Sequence, residues 1–137
     1  MLCRTKTIIG IAALLGTMVC PALAGTQFMN YEKTALSGKE IFIFKDMNIN
    51  VDCSIAGKDD VQVSSGPSHG NTRLEDAKVF PTYKTADPRS KCNSREVEGI
   101  KGFYKSESGF KGRDQVTFMI HTYQGNAYHV VVDINVE

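Results

Sequence analysis

Along most of the chain apolar and polar residues alternate, and no stretch sustains a 3.6-residue repeat, which predicts short strands rather than helices. The pattern is clearest near the end. Val116, Phe118 and Ile120 share a parity with Val130, Val132 and Ile134, and Gln124-Gly125-Asn126 lies between the two sets as a hairpin signal. Bringing both sets to one face around a connection centred on Gly125 pairs Ile120 with Val130. That register places His121 opposite His129 on the outer face.

Met47, Ile49, Val51 and Cys53 alternate with Asn48, Asn50 and Asp52, which predicts a half-buried strand pointing Cys53 inward. Val61 and Val63 predict another strand after the turn residues Ala56 to Asp59. Ile41 to Phe44 is apolar on both parities, as expected of a strand buried on both faces or of an edge covered by the N-terminal segment. Thr26 to Lys39 is mixed and polar, an irregular lead-in strand. Pro81 makes Lys78 to Lys84 an edge or bent strand, and Ile100 to Lys105 is a short strand with Tyr104 as its core aromatic. Between them Ala86 to Glu98 reads as a polar surface loop. Short strands at turn-marked intervals predict an all-β antiparallel β-sandwich.

Residues 1–24 carry Arg4 and Lys6, an apolar run from Ile8 to Val19, and Ala22-Leu23-Ala24. That is the form of a secretory signal peptide with an A-x-A cleavage site; the run is too short for a membrane span. Val19 and Thr17 do not suit a lipidation signal at Cys20. Residues 25–137 then form one domain, periplasmic or secreted, and no later run approaches a membrane span. Loss of Arg4 and Lys6 leaves 14 basic against 15 acidic residues. This near balance argues against a nucleic-acid or anionic-membrane partner.

Of four cysteines, Cys53 and Cys92 remain after cleavage, an even pair in an oxidising compartment and best read as one disulfide. The rival reading, two free thiols at a redox or metal site, lacks a C-x-x-C or further ligands at metal spacing. A bridge would close a loop of about 40 residues, worth roughly 4 kcal/mol in the chain-entropy model.

The stretch Tyr104 to Asp114, YKSESGFKGRD, is the most specified in the chain: Gly109 and Gly112 bracket Phe110 where glycine allows positive φ, and Asp114 opens a strand. With the strands behind it, and with Pro67-Ser68-His69-Gly70 upstream, it resembles the bacterial Ig-like, cadherin-like domains of secreted and surface proteins. Together the two pieces cover about half of residues 25–137. Ser106 stands where those domains often carry proline, and the insert between the pieces is long and contains a cysteine. The resemblance implies an Ig-like sandwich of bacterial origin, with Tyr104, Gly109, Phe110, Gly112 and Asp114 as a structural turn.

Candidate chemistry is sparse. Asp52, Asp59, Asp60, Asp87 and Asp114 are oxygen donors of the kind that bind calcium in some cadherin-like relatives, but no D-x-D-x-D-G loop is present. Turn and strand-end solvation is the simpler use, and Asp114 is expected to bond amides in its own turn. His121 and His129 could share zinc or copper as two ligands, against the plainer reading of a polar cross-strand pair. No G-x-S-x-G, S-x-x-K or triad order marks an enzyme. Lys101, Lys105, Lys111 and Arg113 cluster in sequence around the GF-x-G turn, where a basic patch would meet an acidic partner or glycan; a solvated charged surface is the alternative. Tyr31, Tyr83, Tyr123 and Tyr128 are candidates for a carbohydrate platform or for packing. The expectation is a non-catalytic binding module for a protein or glycan partner, with no cofactor. A periplasmic small-ligand or metal-binding protein and an envelope enzyme are the alternatives.

Overall fold

The computed structural model describes residues 26–137; the signal peptide expected over residues 1–24 lies outside them. In chain order the strands are β1 (Gln27–Ala35), β2 (Glu40–Asp46), β3 (Asn48–Ile49), β4 (Ile55–Gly57), β5 (Asp60–Ser65), β6 (Gly70–Val79), β7 (Val97–Ser106), β8 (Gly112–His121) and β9 (Ala127–Val136). A 3-10 helix, Pro88–Ser94, precedes β7. A four-stranded sheet ordered β1-β9-β8-β5 faces a three-stranded sheet ordered β2-β7-β6, and β3-β4 form a small separate pair. The fold is an all-β sandwich in a single domain, with Cys53 and Cys92 joined in a disulfide at a Cα–Cα distance of 5.6 Å.

The core lies between the two larger sheets. Val116, Phe118, Ile120, Val130, Val132 and Ile134 supply one side and Ile43, Phe44 and Tyr104 the other, with Phe44 stacked on Phe118 at 4.7 Å. Alternation therefore located the core face of β8 and β9. The antiparallel expectation needs one correction: β1 is a regular strand that pairs in parallel with β9, so the larger sheet is mixed. Parallel pairing is possible because the rest of the chain serves as the crossover between them.

The double parity of Ile41 to Phe44 comes from a β-bulge. Phe42 pairs with Phe103 and Phe44 with Gly102, so Ile43 is the extra residue. Ile43 and Phe44 both reach the core, and Phe42 is turned out.

Two expectations fail for local reasons. The run from Met47 to Cys53 is not one strand, because Asn50 N–H donates to the Ser54 carbonyl and Cys53 N–H to that of Asn50. The chain reverses there with Cys53 at φ 70°, and Val51 is exposed. In the hairpin, Phe118 pairs with Val130 and Ile120 with Tyr128. Thr122 N–H donates to the Asn126 carbonyl at 2.8 Å, and Gly125, at φ 88°, ends the loop Tyr123-Gln124-Gly125 instead of centring it. The register moves accordingly. His121 faces Ala127 and His129 faces Met119, so the two histidines are diagonal, not opposite.

A second, smaller cluster holds Ile49, Val79, Cys92 and Val97, with Met47, Cys53 and Tyr83 against it. Val79 and Val97 share the strand parity of Arg73 and Phe103, which is the outer one. The disulfide thus clips a lobe, made of the β3-β4 turn and the helix segment, over one end of the three-stranded sheet's outer face.

Candidate functional site

The residues of the predicted structural turn come together, and they do so around a carboxylate. Asp114 accepts from the Ser68 and His69 amides at 2.8 and 3.0 Å, from the Tyr104 hydroxyl at 2.9 Å and from the Gln115 amide at 3.0 Å. Its partners are therefore chiefly those of the upstream Pro67-Ser68-His69-Gly70 turn, not those of its own. Burial pushes the Asp114 carboxyl up, but the four hydrogen bonds outweigh it and hold the group below the ordinary carboxylate range. Burial, with the Asp114 hydrogen bond and charge, pushes the Tyr104 phenol well above its usual value. Phe110 stacks on His69 at 4.1 Å, and Gly112 takes φ 137° beside the Phe110 ring. Gly109 is at φ 85° and its amide donates to Ser37 Oγ. Ser106 is buried, and its hydroxyl accepts from Gly38 N–H at 2.8 Å, a bond that proline in that place would not offer. The knot ties three connections together, and its polar atoms are turned toward one another.

Exposed aromatic residues also lie elsewhere, on β1, where Phe28 and Tyr31 are open to solvent, and on the outer face of the three-stranded sheet. There Phe42, Phe103 and Arg73 form one cross-strand row, and Lys45, Lys101 and Glu75 the next. Phe42 meets Phe103 edge to face at 6.1 Å, and the Arg73 guanidinium lies 4.1 Å from the Phe103 centroid. Arg73 also engages Glu40 and Glu75, so these two carboxylates are occupied. Lys33, Lys45, Lys78, Lys101 and Lys105 make no salt bridge among the described residues. Where the disulfide lobe steps up from the sheet, a groove of about 360 Å³ runs between a floor of Phe42, Phe103, Lys45 and Lys101 and a wall of Val79, Phe80 and Glu96. Phe42 and Phe80 are 41% and 52% exposed. Lys45 Nζ donates to the Phe80 carbonyl at 2.6 Å; burial and the nearby Lys33 charge lower its pKa.

A second cavity, about 190 Å³, opens at one end of the sandwich among Asp46, Asn48, Ile55, Asp59 and Ile100. Burial, and then the Asp59 charge, pushes the Asp46 carboxyl up to about 6. The Tyr128 phenol is raised to about 12 by burial and by these same two carboxylates. Asp59 accepts from Tyr123 N–H at 2.9 Å.

The other candidates are dispersed. Lys101 and Lys105 lie on the three-stranded sheet, whereas Arg113 sits in β8 of the opposite sheet, so no patch forms from these with Lys111 around the turn. Tyr31 and Tyr128 lie on the adjacent strands β1 and β9, whereas Tyr83 packs in the lobe under Arg89 and Tyr123 lies against Gly57, so the four tyrosines do not form one platform. Asp52 is bonded to Ser54, Asp60 to Gln62, and Asp87 caps the helix. His129 stacks on Phe28 at 5.0 Å, and His121 Nδ1 lies 3.9 Å from Asp60. Among the described residues no three His, Cys, Asp or Glu side chains are grouped to hold a metal. Sequence reasoning missed the phenylalanine face; its one signal was Phe42, the off-parity apolar residue of the Ile41–Phe44 run.

No protein-family model matches the chain, and no curated protein does. Among solved structures it is similar to the solution structure of amebosin, at 10% identity and a TM-score of 0.43, over 82% of this chain and 100% of that one. It is also similar to the 2,6-sialyltransferase of Vibrionaceae Photobacterium sp. JT-ISH-224, crystallised with CMP and lactose, at 13% identity and a TM-score of 0.33, over 82% of this chain and 18% of that one. Likenesses this loose carry no argument about activity.

Proposed function

We propose that this chain is an exported bacterial Ig-like module that acts by binding a protein or glycan partner and performs no chemistry of its own. The observation that carries this reading is the groove on the outer face of the three-stranded sheet, where exposed Phe42 and Phe80 stand among lysines with no ion-pair partner. Exposed aromatic and cationic residues around a concavity are what a recognition surface needs. The Cys53–Cys92 disulfide supports an oxidising compartment, in keeping with the signal-like N-terminus. No helix of the described residues is long and apolar enough to cross a membrane. The Ig-like assignment draws support from the strand order and from the joining of the two resembling turns through Asp114. Photo-reactive residues at position 103 and, on the other sheet, at position 115 test it in the native envelope. Labelling of a partner from position 103 and not from 115 is expected, and equal or absent labelling at both overturns the reading.

A further inference from the structure

We propose that the groove between Phe42, Phe103 and Phe80 binds an anionic polysaccharide, one whose sugar rings carry carboxylates. The inference rests on the binding-module reading and names its ligand class. The charge requirement comes from the side chains that frame the groove: Lys45, Lys78 and Lys101 line it with Glu96 as the one acidic residue, and Lys33 lies 5.9 Å from the Phe42 ring. Glu40 and Glu75 are held by Arg73, and Glu98 stands opposite Lys78 in the β6–β7 register, which leaves Lys45, Lys101 and Lys33 to set the charge of the groove. The face is therefore cationic at short range although residues 25–137 are nearly neutral.

The aromatic requirement points to a ring-shaped ligand. Arg73 covers one face of Phe103 and Phe42 abuts it edge-on, while Lys33 lies over the Phe42 ring, which leaves the rest of the Phe42 ring on the floor and Phe80 on the wall as the exposed aromatic surfaces of the groove. The C–H faces of a pyranose pack on such rings while its carboxylates reach ammonium groups.

An acidic peptide suits the groove less well. Its floor is made by β2 and β7; β7 is paired on both edges by β2 and β6, so an added strand would find free amides and carbonyls only along the outer edge of β2, beside the groove and not across it. A bilayer suits it less well too, because the lobe rises beside the floor and makes the site concave.

Titration of the intact mature protein with oligogalacturonate, its methyl-esterified form, poly-glutamate and phosphatidylglycerol vesicles tests the inference. Oligogalacturonate is expected to bind, and esterification to weaken it about tenfold or more. Lys45→Gln with Lys101→Gln should weaken binding by about tenfold and flatten its salt dependence. Phe42→Ala with Phe80→Ala should weaken it similarly at an unchanged salt slope. Melting curves of both double variants establish that they fold, and Arg113→Gln on the opposite sheet should bind as the wild type does. Oligogalacturonate binding that is absent, or unaffected by both double variants, overturns the inference. Tighter binding of poly-glutamate or of vesicles also overturns it, while leaving the module reading in place with another partner class.

Discussion

The space between the two large sheets and the lobe around the disulfide are both ordered and both contain buried side chains, but they are held in different ways. Between the sheets, ten-residue strands β8 and β9 and the facing β7 bury a continuous set that includes Tyr104, Phe118, Ile120 and Ile134. In the lobe the strands are two and three residues long, and only Ile49, Val79, Cys92 and Val97 form the buried cluster. Polar bonds supplement so small a core: Asn93 accepts from Tyr83 N–H at 3.0 Å and donates to its carbonyl at 2.9 Å, and Asp87 holds Arg89. The sandwich rests chiefly on apolar area, with the Asp114 knot added at one end, whereas in the lobe a covalent tie supplements a core of few residues. The groove wall, Val79, Phe80 and Glu96, lies where β6 and β7 adjoin this lobe, so the proposed recognition would depend on the less self-sufficient region.

The largest expected effect falls on the sandwich. Phe118→Ala removes a fully buried ring stacked on Phe44 and should cost about 3–5 kcal/mol, lowering the denaturant midpoint for the whole domain, lobe included. Replacing Cys53 and Cys92 with serine should cost about 2–4 kcal/mol. Hydrogen exchange should then rise over β3, β4 and the 3-10 helix while the amides of β8 and β9 stay protected. A uniform rise would show that lobe and sandwich are one cooperative unit.

Smaller effects separate two carboxylates at different places in the fold. Asp114→Ala leaves the Ser68 and His69 amides and the Tyr104 hydroxyl without their acceptor, at about 2 kcal/mol near neutral pH. Because the Asp114 pKa is lowered by folding, its contribution is present above the ordinary carboxylate value and is lost as pH falls through the folded one. Acid titration of stability should therefore be flatter in the variant. Asp46 has the opposite sign. Its pKa is raised to about 6, so the ionised form is disfavoured by folding, and stability declines as pH rises from about 4 through 6. Asp46→Asn should stabilise by about 1 kcal/mol at neutral pH, a gain reduced by the water that reaches this half-buried group, and should show no advantage at pH 3. Thermal melts at the two pH values decide it.

How much of this could be read from the chain depends on the range of the interactions. The core faces of β8 and β9 were legible because alternation is a local property, and Gly109, Gly112 and Gly125 do take positive φ. Gly125 marked the hairpin but not its register, since a glycine that ends a loop and one that centres it look the same in sequence. Asp114 was recognised as structural, yet its partners lie 45 and 46 residues away. The run Met47 to Cys53 misled because alternation continued into a turn. β6 was not predicted as a ten-residue strand: at the sheet edge its residues face water on most sides, and Arg73, Glu75, Asp76 and Lys78 mask any period. The groove was illegible for the same reason as the Asp114 contacts, because it is made by the Phe42–Phe103 register and by a lobe folded back over the sheet.

The parallel pairing of β1 with β9 sets an order of events. The first described strand and the last lie side by side in register from Gln27 with Tyr128 to Ala35 with Val136, so the four-stranded sheet cannot be completed while the chain is still being delivered from its N-terminal end. Until β9 arrives, β1 has no ladder partner, and β8 and β5 lack the strand that connects them to it. Closing a loop of this length comes late and costs entropy before any contact repays it, which places this fold among the slower ones for its size. During that interval Phe28, Met29 and Tyr31 stand on an unpaired edge. The nascent chain is then open to capture by a holding chaperone or by another copy along both edges of β1, whereas in the finished domain β9 covers one of them.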